Sequence, residues 1–438
     1  MFKFLIINDF NDINNAIIRH FSLDKGHFVA KSLQKLGHSV YFLTTKNDYE
    51  KDGIRYTFID NINDSFIKLM DYVLIVREPL FIDIIKKIPA IKNIIAVPKQ
   101  NRTTKIIVKS DSPMWFTNKS FGLTMSQIFG IVRIENGVKN SVKKWIIDHV
   151  DFICAQNDGF ANIAIKSGIP INSLLVSGMG ISHEPVNYDK LINPYDINHS
   201  YCVDNSMTLT VTKALWPLYY LEKPNERHLI NNKKYIIVYT GRIKTDNGKI
   251  LFNMKNIMDI LGEKYELHIF PGSFIIPMPD DLTTNHSSKN SHSLELLRNV
   301  IFRDSKNVII HYPYEHYDKY RYLCFANCGL DFSDIRPTNG KSFAEHAKIL
   351  EYCEAGLPVV CEENIKNIFL VKNGKNAIVL PYMASDKEYA EAIQKIVTMP
   401  IDRVYCRNIT VQNENWDKKT GELVDQLSIK NEKIIGKY

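Results

Sequence analysis

Residues Lys348 to Cys361 read KILEYCEAGLPVVC, a glutamate set in an otherwise apolar helix end. The helix stops at glycine and returns as the β-branched run PVVC, the pattern of an α/β crossover ending in a buried parallel strand. Open α/β sheets bind ligands beyond the ends of such strands. Glu351 is therefore either a solvated helix residue or a clamp on a ligand. Lys348, one turn earlier on the same face, either neutralises an anion or pairs with Glu351. A second group stands in VYTGRIKTDNGK, where Arg242 follows Gly241 at a strand end. Its guanidinium offers a planar fork that fits a phosphate bidentately. Lys249 adds a point charge, with Lys244 as the competing lysine. The loop RPTNGKSFAEHA feeds the helix of Glu351. Its Gly340, Ser342 and Phe343 would line a phosphate-accepting helix N-terminus. A Walker A loop needs a glycine at 335, where Ile335 stands, so that class of ATPase is excluded.

The elements that must position these residues alternate. In the first half KFLIIND, HSVYFLT, DYVLIVRE, IIAVP, KIIVKSD, DFICAQND and NSLLVSGMG read as short strands. KGHFVAKSLQKLG, NSVKKWIIDHV and GFANIAIKSG carry apolar residues at helical spacing between them. Residues 183–234 are polar, with several X-Pro steps, and read as a connection. Alternation resumes with KYIIVYTGRI, helix ILFNMKNIMDILG and strand YELHIFPG, and then NVIIHYPY, CGLDFS, LPVVCE and NAIVLP. Two doubly wound parallel sheets follow from this order. The expected domains are 1–195, a connection over 196–234, a second domain over 235–400, and a helical segment over 401–438 that packs back toward the first.

The chain has 438 residues, too many for one ordinary core. Its 45% hydrophobic and 24% charged content is that of a globular protein. Seven cysteines without a CxxC pair argue for a reducing compartment rather than a disulfide framework. Cys324 and Cys328, four apart on an expected helix, lack a second pair at metal spacing, so no metal site is expected. No apolar run reaches the length of a membrane span, and MFKFLIINDF reads as a first strand, so a cytoplasmic location is expected. Net charge is +7. Between Asp83 and Asp111 the chain has no acid but Lys86, Lys87, Lys92, Lys99, Arg102, Lys105 and Lys109. That run is either a solvated face or a surface for an anionic partner.

Several of these stretches together resemble the GT-B glycosyltransferases, in particular the retaining family 4-like (group 1) enzymes. VYTGRI is similar to that family's strand-turn Gly-Arg element. KILEYCEAGLPVV is similar to its Lys-x-x-Glu…Gly-x-Pro-Val-Val signature. IKNIFLVKNGKNAIVL and NENWDKKTGELVDQL resemble the segments that follow, and GHFVAKSLQKLGHSVYFLT and GIPINSLLVSGMGIS match more loosely. The resemblance covers most of the chain in order. It implies a GT-B architecture, two Rossmann-like domains facing across a cleft, and transfer of a sugar from a nucleotide-diphosphate-sugar donor with retention. It implies no cofactor and no metal, and no Asp-x-Asp follows an early strand as a GT-A enzyme would need.

The resemblance also assigns roles. Gly241, Arg242, Lys249, Gly340, Ser342, Phe343 and Lys348 would meet the donor's diphosphate, and Glu351 would accept the ribose hydroxyls. Tyr312 or Tyr314 would either stack on the base or belong to an exposed aromatic loop or a domain interface. Lys25 and Gly26, in an expected loop after the first strand, would approach the phosphates or the acceptor, and His27 would either face the cleft or serve as a helix-start residue. Asp111 and Asp158 are weaker candidates that commonly cap the next helix. Glu354 is expected to tolerate alanine. The sequence departs from the family at Phe343, where another acid is usual. No nucleophile is assigned. The acceptor stays open between a glycan, a lipid-linked sugar and nucleic acid, with peripheral membrane contact through residues 86–109. Alternatives with the same fold are a nucleotide-sugar epimerase, a modified-base DNA glucosyltransferase and a non-catalytic nucleotide-sugar-binding homologue.

Overall fold

The computed structural model describes residues 1–8, 21–76, 87–110, 148–166, 168–181, 195, 234–244, 248–276, 302–310, 322–332, 346–363, 374–382 and 384–435. Strand β1 (Lys3–Ile7) leads to helix α1 (Phe21–Lys35), then β2 (Ser39–Thr44), β3 (Tyr49–Lys51) and β4 (Ile54–Phe58). Helix α2 (Asp64–Lys68), β5 (Tyr72–Ile75), α3 (Pro89–Ala96) and β6 (Lys105–Ser110) come next. The first half closes with β7 (Phe152–Ala155), α4 (Asp158–Lys166) and β8 (Leu174–Val176). The eight strands form one sheet in the order β3-β4-β2-β1-β5-β6-β7-β8. Within it only the β3–β4 hairpin is antiparallel.

The second half runs β9 (Tyr235–Lys244), α5 (Gly248–Leu261), β10 (Tyr265–Ile276), β11 (Val308–Ile310) and β12 (Cys328–Leu330). After it come α6 (Ala347–Glu354), β13 (Val359–Glu362), β14 (Ala377–Leu380), α7 (Asp386–Ile396), α8 (Arg403–Glu414) and α9 (Trp416–Ile435). Six strands make a wholly parallel sheet in the order β11-β10-β9-β12-β13-β14. Each sheet has a hydrophobic cluster on either face. Alternation of buried and exposed residues is absent from β1, whose Phe4, Leu5, Ile6 and Ile7 are all buried, as a parallel strand between helix layers requires.

The C-terminal helix belongs to the first sheet's core, because Trp416, Leu423 and Leu427 of α9 pack with Phe4, Ile6, Val29 and Leu33. Where α8 passes into α9, the chain is stitched to the strand that leaves the first sheet. The Ile181 N–H donates to the Glu414 carbonyl at 2.8 Å, and the Trp416 N–H to the Ile181 carbonyl at 3.3 Å.

Three sequence expectations change here. IIAVP is not a strand, since Ile94–Ala96 complete α3, which opens with Pro89 at its first turn and buries Ile91 and Ile95 one turn apart. Proline at that position is pre-set for a helix, and the i, i+4 pair outweighs the β-branched composition. Lys25, Gly26 and His27 lie inside α1, not in a loop before it. Cys328 opens a buried strand rather than sharing a helix with Cys324, and burial pushes its thiol up to about 12. Residues 140–147 of the expected helix NSVKKWIIDHV and most of the connection lie outside the described residues.

Candidate functional site

A group of polar side chains stands at the C-terminal ends of the second sheet's central strands. Gly241, near the end of β9, has φ of +116°, a conformation that L side chains rarely adopt. A Cβ there would sit 3.3 Å from Cε of Lys348, so the bare backbone is what lets the lysine lie alongside. Lys348 comes from the first turn of α6, and its ammonium stands 4.1 Å from the centroid of the Tyr239 ring. It is anchored by Asp331, with Nζ 3.2 Å from Oδ1. Asp331 follows β12 directly and is 2% exposed. Its other oxygen takes Nδ1 of His346 at 2.5 Å.

Helix α6 is fixed by its neighbours, not by a cap. His346 is its N-cap residue but makes no side-chain cap bond. The Tyr352 hydroxyl accepts from the Thr240 N–H at 2.9 Å and donates to the Leu330 carbonyl at 3.3 Å, tying α6 to β9 and β12. Asp331 is held to β13 by its N–H on the Val360 carbonyl at 3.0 Å. The Tyr389 hydroxyl of α7 lies 3.3 Å from the Asp331 carbonyl and 3.1 Å from Oε1 of Glu362.

Electrostatics keep Asp331 and Lys348 ionised. Burial works to raise the Asp331 carboxyl, but His346 and Lys348 overcome it and hold it below the usual carboxylate range. Burial works to discharge Lys348, and the electron-rich Tyr239 and the Asp331 carboxylate reverse that, so its pKa is raised. Lys348, whose side chain is 18% exposed, thus remains charged beside a bare glycine. Such a group can bind an anion without gaining or losing a proton.

The structure brings together two of the residues singled out in the sequence, Gly241 and Lys348. Arg242 follows Gly241 on β9, and Lys249 lies in the first turn of α5. Glu351 is buried in α6, 8% exposed, three residues beyond Lys348. Lys348 forms its ion pair with Asp331 rather than with Glu351. Glu354 is 1% exposed, so the expectation that it tolerates alanine is corrected. Three residues carry a helix 300°, only 60° short of a full turn, which leaves Glu354 on nearly the same face as Glu351. Gly340, Ser342, Phe343, Tyr312 and Tyr314 lie outside the described residues. Asp331, His346 and Tyr239 were not read as site residues from sequence. The one available signal was an acid directly after the strand CGL.

The corresponding edge of the first sheet is built differently. Gly26 of α1 is pressed against Asn8, just past β1, where a Cβ would fall 2.6 Å from Cβ of Asn8. His27 is half-buried, with Nδ1 3.0 Å from the Tyr56 hydroxyl. Asn157 caps α4 through the Phe160 N–H at 3.0 Å, leaving Asp158 as an exposed first-turn residue. Asp111 lies outside the described residues.

The basic run of 86–109 is not a continuous cationic face. Arg102 pairs with Asp151 at 2.5 Å and donates to the carbonyls of Ile94 at 3.0 Å and Val97 at 3.3 Å. Lys105 reaches Asn431 of α9, and its burial lowers its pKa. Lys109 donates to the carbonyls of Ser177 at 2.7 Å and Gly178 at 3.2 Å. Lys87 and Lys92 are exposed. No helix among the described residues is long and apolar enough to cross a membrane.

No family model and no curated protein matches the sequence. Solved structures do. HepE from Anabaena, in complex with UDP-glucose, aligns with a TM-score of 0.56 at 11% identity, over 98% of this chain and 100% of that one. Sucrose-phosphate synthase from Thermosynechococcus elongatus aligns at 0.57 and 14% identity over 98% and 100%. The α,α-trehalose 6-phosphate synthase of Burkholderia multivorans aligns at 0.58 and 10% identity over 100% and 99%. At these identities the likeness is one of fold, and it covers nearly the whole chain. The chain has the GT-B architecture of two parallel α/β sheets.

Proposed function

We propose that the protein is a glycosyltransferase that takes a sugar from a nucleotide-diphosphate-sugar donor bound at the C-terminal edge of the second sheet. One observation carries this reading. Lys348, ionised and anchored by Asp331, stands against the bare backbone of Gly241 at a strand end, on a fold shared with a protein solved holding UDP-glucose. Lys348 and Arg242 would meet the diphosphate, with Lys249 and the 340–343 loop completing the charge. Glu351 would accept the ribose hydroxyls. The donor domain is taken as 235–400, and the acceptor is assigned to the first domain with the closing helix α9.

The proposed reaction retains configuration. The bond from the anomeric carbon to the donor phosphate breaks, and the acceptor oxygen bonds to that carbon on the same face. The acceptor's proton passes to the departing phosphate, and the nucleoside diphosphate leaves. The chain's own contribution is positioning and charge stabilisation. We take the enzyme to be a metal-independent hexosyltransferase of the cytoplasm, because the cations at the diphosphate come from side chains.

Calorimetry with UDP, GDP, ADP and their glucose conjugates, with and without EDTA, tests this. One nucleoside diphosphate should bind at micromolar affinity in chelator. Failure of all to bind overturns the donor reading, and binding only with added Mg²⁺ or Mn²⁺ overturns metal independence.

A further inference from the structure

We propose that Asp331 is a positioning residue of the donor site, whose buried carboxylate holds Lys348 against Gly241. This rests on the reading of that edge as the donor site. The backbone of Asp331 is already satisfied by Val360 and Tyr389, so the carboxylate is not needed to hold its own strand end. Both of its oxygens go instead to the start of α6, His346 at 2.5 Å and Lys348 at 3.2 Å.

A lysine stem is long and flexible, and an ammonium left alone seeks water. Here it is drawn back over Tyr239, 4.1 Å from the ring centroid, where its charge lies beside the end of β9. His346 occupies the N-cap position, where its carbonyl accepts from the Ile349 N–H at 3.0 Å while its Nδ1 is engaged by Asp331. A single carboxylate thereby sets a feature that favours an anion, a cation held in place at the start of a helix. The 15-residue separation of Asp331 and His346 puts one arm on a strand end and the other on the helix that follows, so the clamp also fixes where α6 begins relative to β12.

Positioning and plain electrostatics predict opposite signs. A carboxylate this close to a diphosphate repels it, so its removal by Coulomb's law alone would tighten binding. If Asp331 acts by placing Lys348, its removal weakens binding. The experiment is calorimetry of wild type, Asp331→Asn, Lys348→Met and the double variant with UDP, GDP and ADP, using for all four the diphosphate that wild type binds best. Each protein's thermal melt is recorded beside it.

Asp331→Asn is expected to lose about tenfold in affinity, equivalent to one charge-assisted contact. The double variant should bind within about twofold of Lys348→Met, because the carboxylate acts through that lysine. A purely structural role would lower the melt and leave this coupling at zero. Unchanged or tighter binding by Asp331→Asn, or losses that multiply in the double variant, overturns the proposal. A wild type that binds no diphosphate overturns the donor reading instead. If Asp331→Asn does not fold, Asp331→Glu is measured. It keeps the charge but displaces both partners by a methylene, and equal affinity there overturns the proposal.

Discussion

Each sheet carries a largely buried lysine at the C-terminal end of a central strand or against it, and the two are satisfied in opposite ways. Lys109 of the first sheet is 3% exposed and gives its protons to two backbone carbonyls, with the Trp416 ring 5.9 Å away. Lys348 of the second is paired with a carboxylate, remains 18% exposed and faces a glycine with no side chain. Neutral carbonyls around a closed ammonium make a staple between β6, the chain after β8 and α9. A carboxylate beside a partly exposed lysine side chain makes a charge held in place next to the glycine. The position of a lysine in the fold does not tell these apart, and its partners do.

The comparison breaks most visibly at the first sheet. Arg102 is the strongest of its inward cations, 3% exposed and paired with a carboxylate that is 10% exposed. Arg102→Gln leaves Asp151 buried without its partner and should cost about 3–5 kcal/mol in urea unfolding. Lys109→Met should cost less, about 1–3 kcal/mol for the two carbonyls left unmet. In both, the rise in melting temperature given by a nucleoside diphosphate should persist once the lower baseline is subtracted. In Lys348→Met that rise should be markedly smaller. A ligand shift lost in Lys109→Met and kept in Lys348→Met would invert the comparison.

Two glutamates sharpen it within the second sheet. Glu351→Gln, which keeps the shape, should weaken diphosphate binding about ten- to a hundredfold, the worth of roughly 1.5–3 kcal/mol in a charged hydrogen bond. Glu354→Ala should leave affinity unchanged but lower the melt, because the side chain it removes is buried. Acid titration separates the clamp from the rest. The Asp331 carboxyl is lowered in the folded state, so its contribution is present above the ordinary carboxylate value and is lost as pH falls through the lower folded one. His346, Lys348, Tyr239, Tyr389 and Glu362 surround it. Between about pH 5 and pH 2, urea midpoints of Asp331→Asn should fall less steeply than those of wild type. Parallel slopes would remove Asp331 from the acid limb.

Alternation of apolar runs was enough to read two parallel sheets, because a strand buried on both faces needs a short continuous apolar stretch and little else. Period alone misled at IIAVP, where Pro89 and the Ile91–Ile95 spacing carried the helical signal. Gly241 and Lys348 were legible because a strand-turn glycine and a helix-start lysine both stand in local motifs. Asp331 was not, since its partners lie 15 and 17 residues further along and meet it only after the chain has crossed to α6. The basic run misled for the same reason in reverse. Composition counts charges, but the acid that meets Arg102 is Asp151, 49 residues away.

The smallest expected effect concerns what is left of that run. Lys87 and Lys92 remain exposed on the first domain, the latter on α3. Two separated lysines make a weak field at physiological salt, where charges farther apart than about 8 Å are largely screened. The double variant Lys87→Gln/Lys92→Gln should change unfolding free energy by no more than about 0.5 kcal/mol, as surface substitutions do. Its co-sedimentation with phosphatidylglycerol vesicles at physiological salt should match that of wild type. A lysine seated at an anionic lipid surface contributes about 1 kcal/mol, so a true membrane face would lose about thirtyfold in vesicle affinity with both gone. A loss of that size would return residues 86–109 to the role of a docking surface and leave the inward Arg102, Lys105 and Lys109 as the scaffold that presents it.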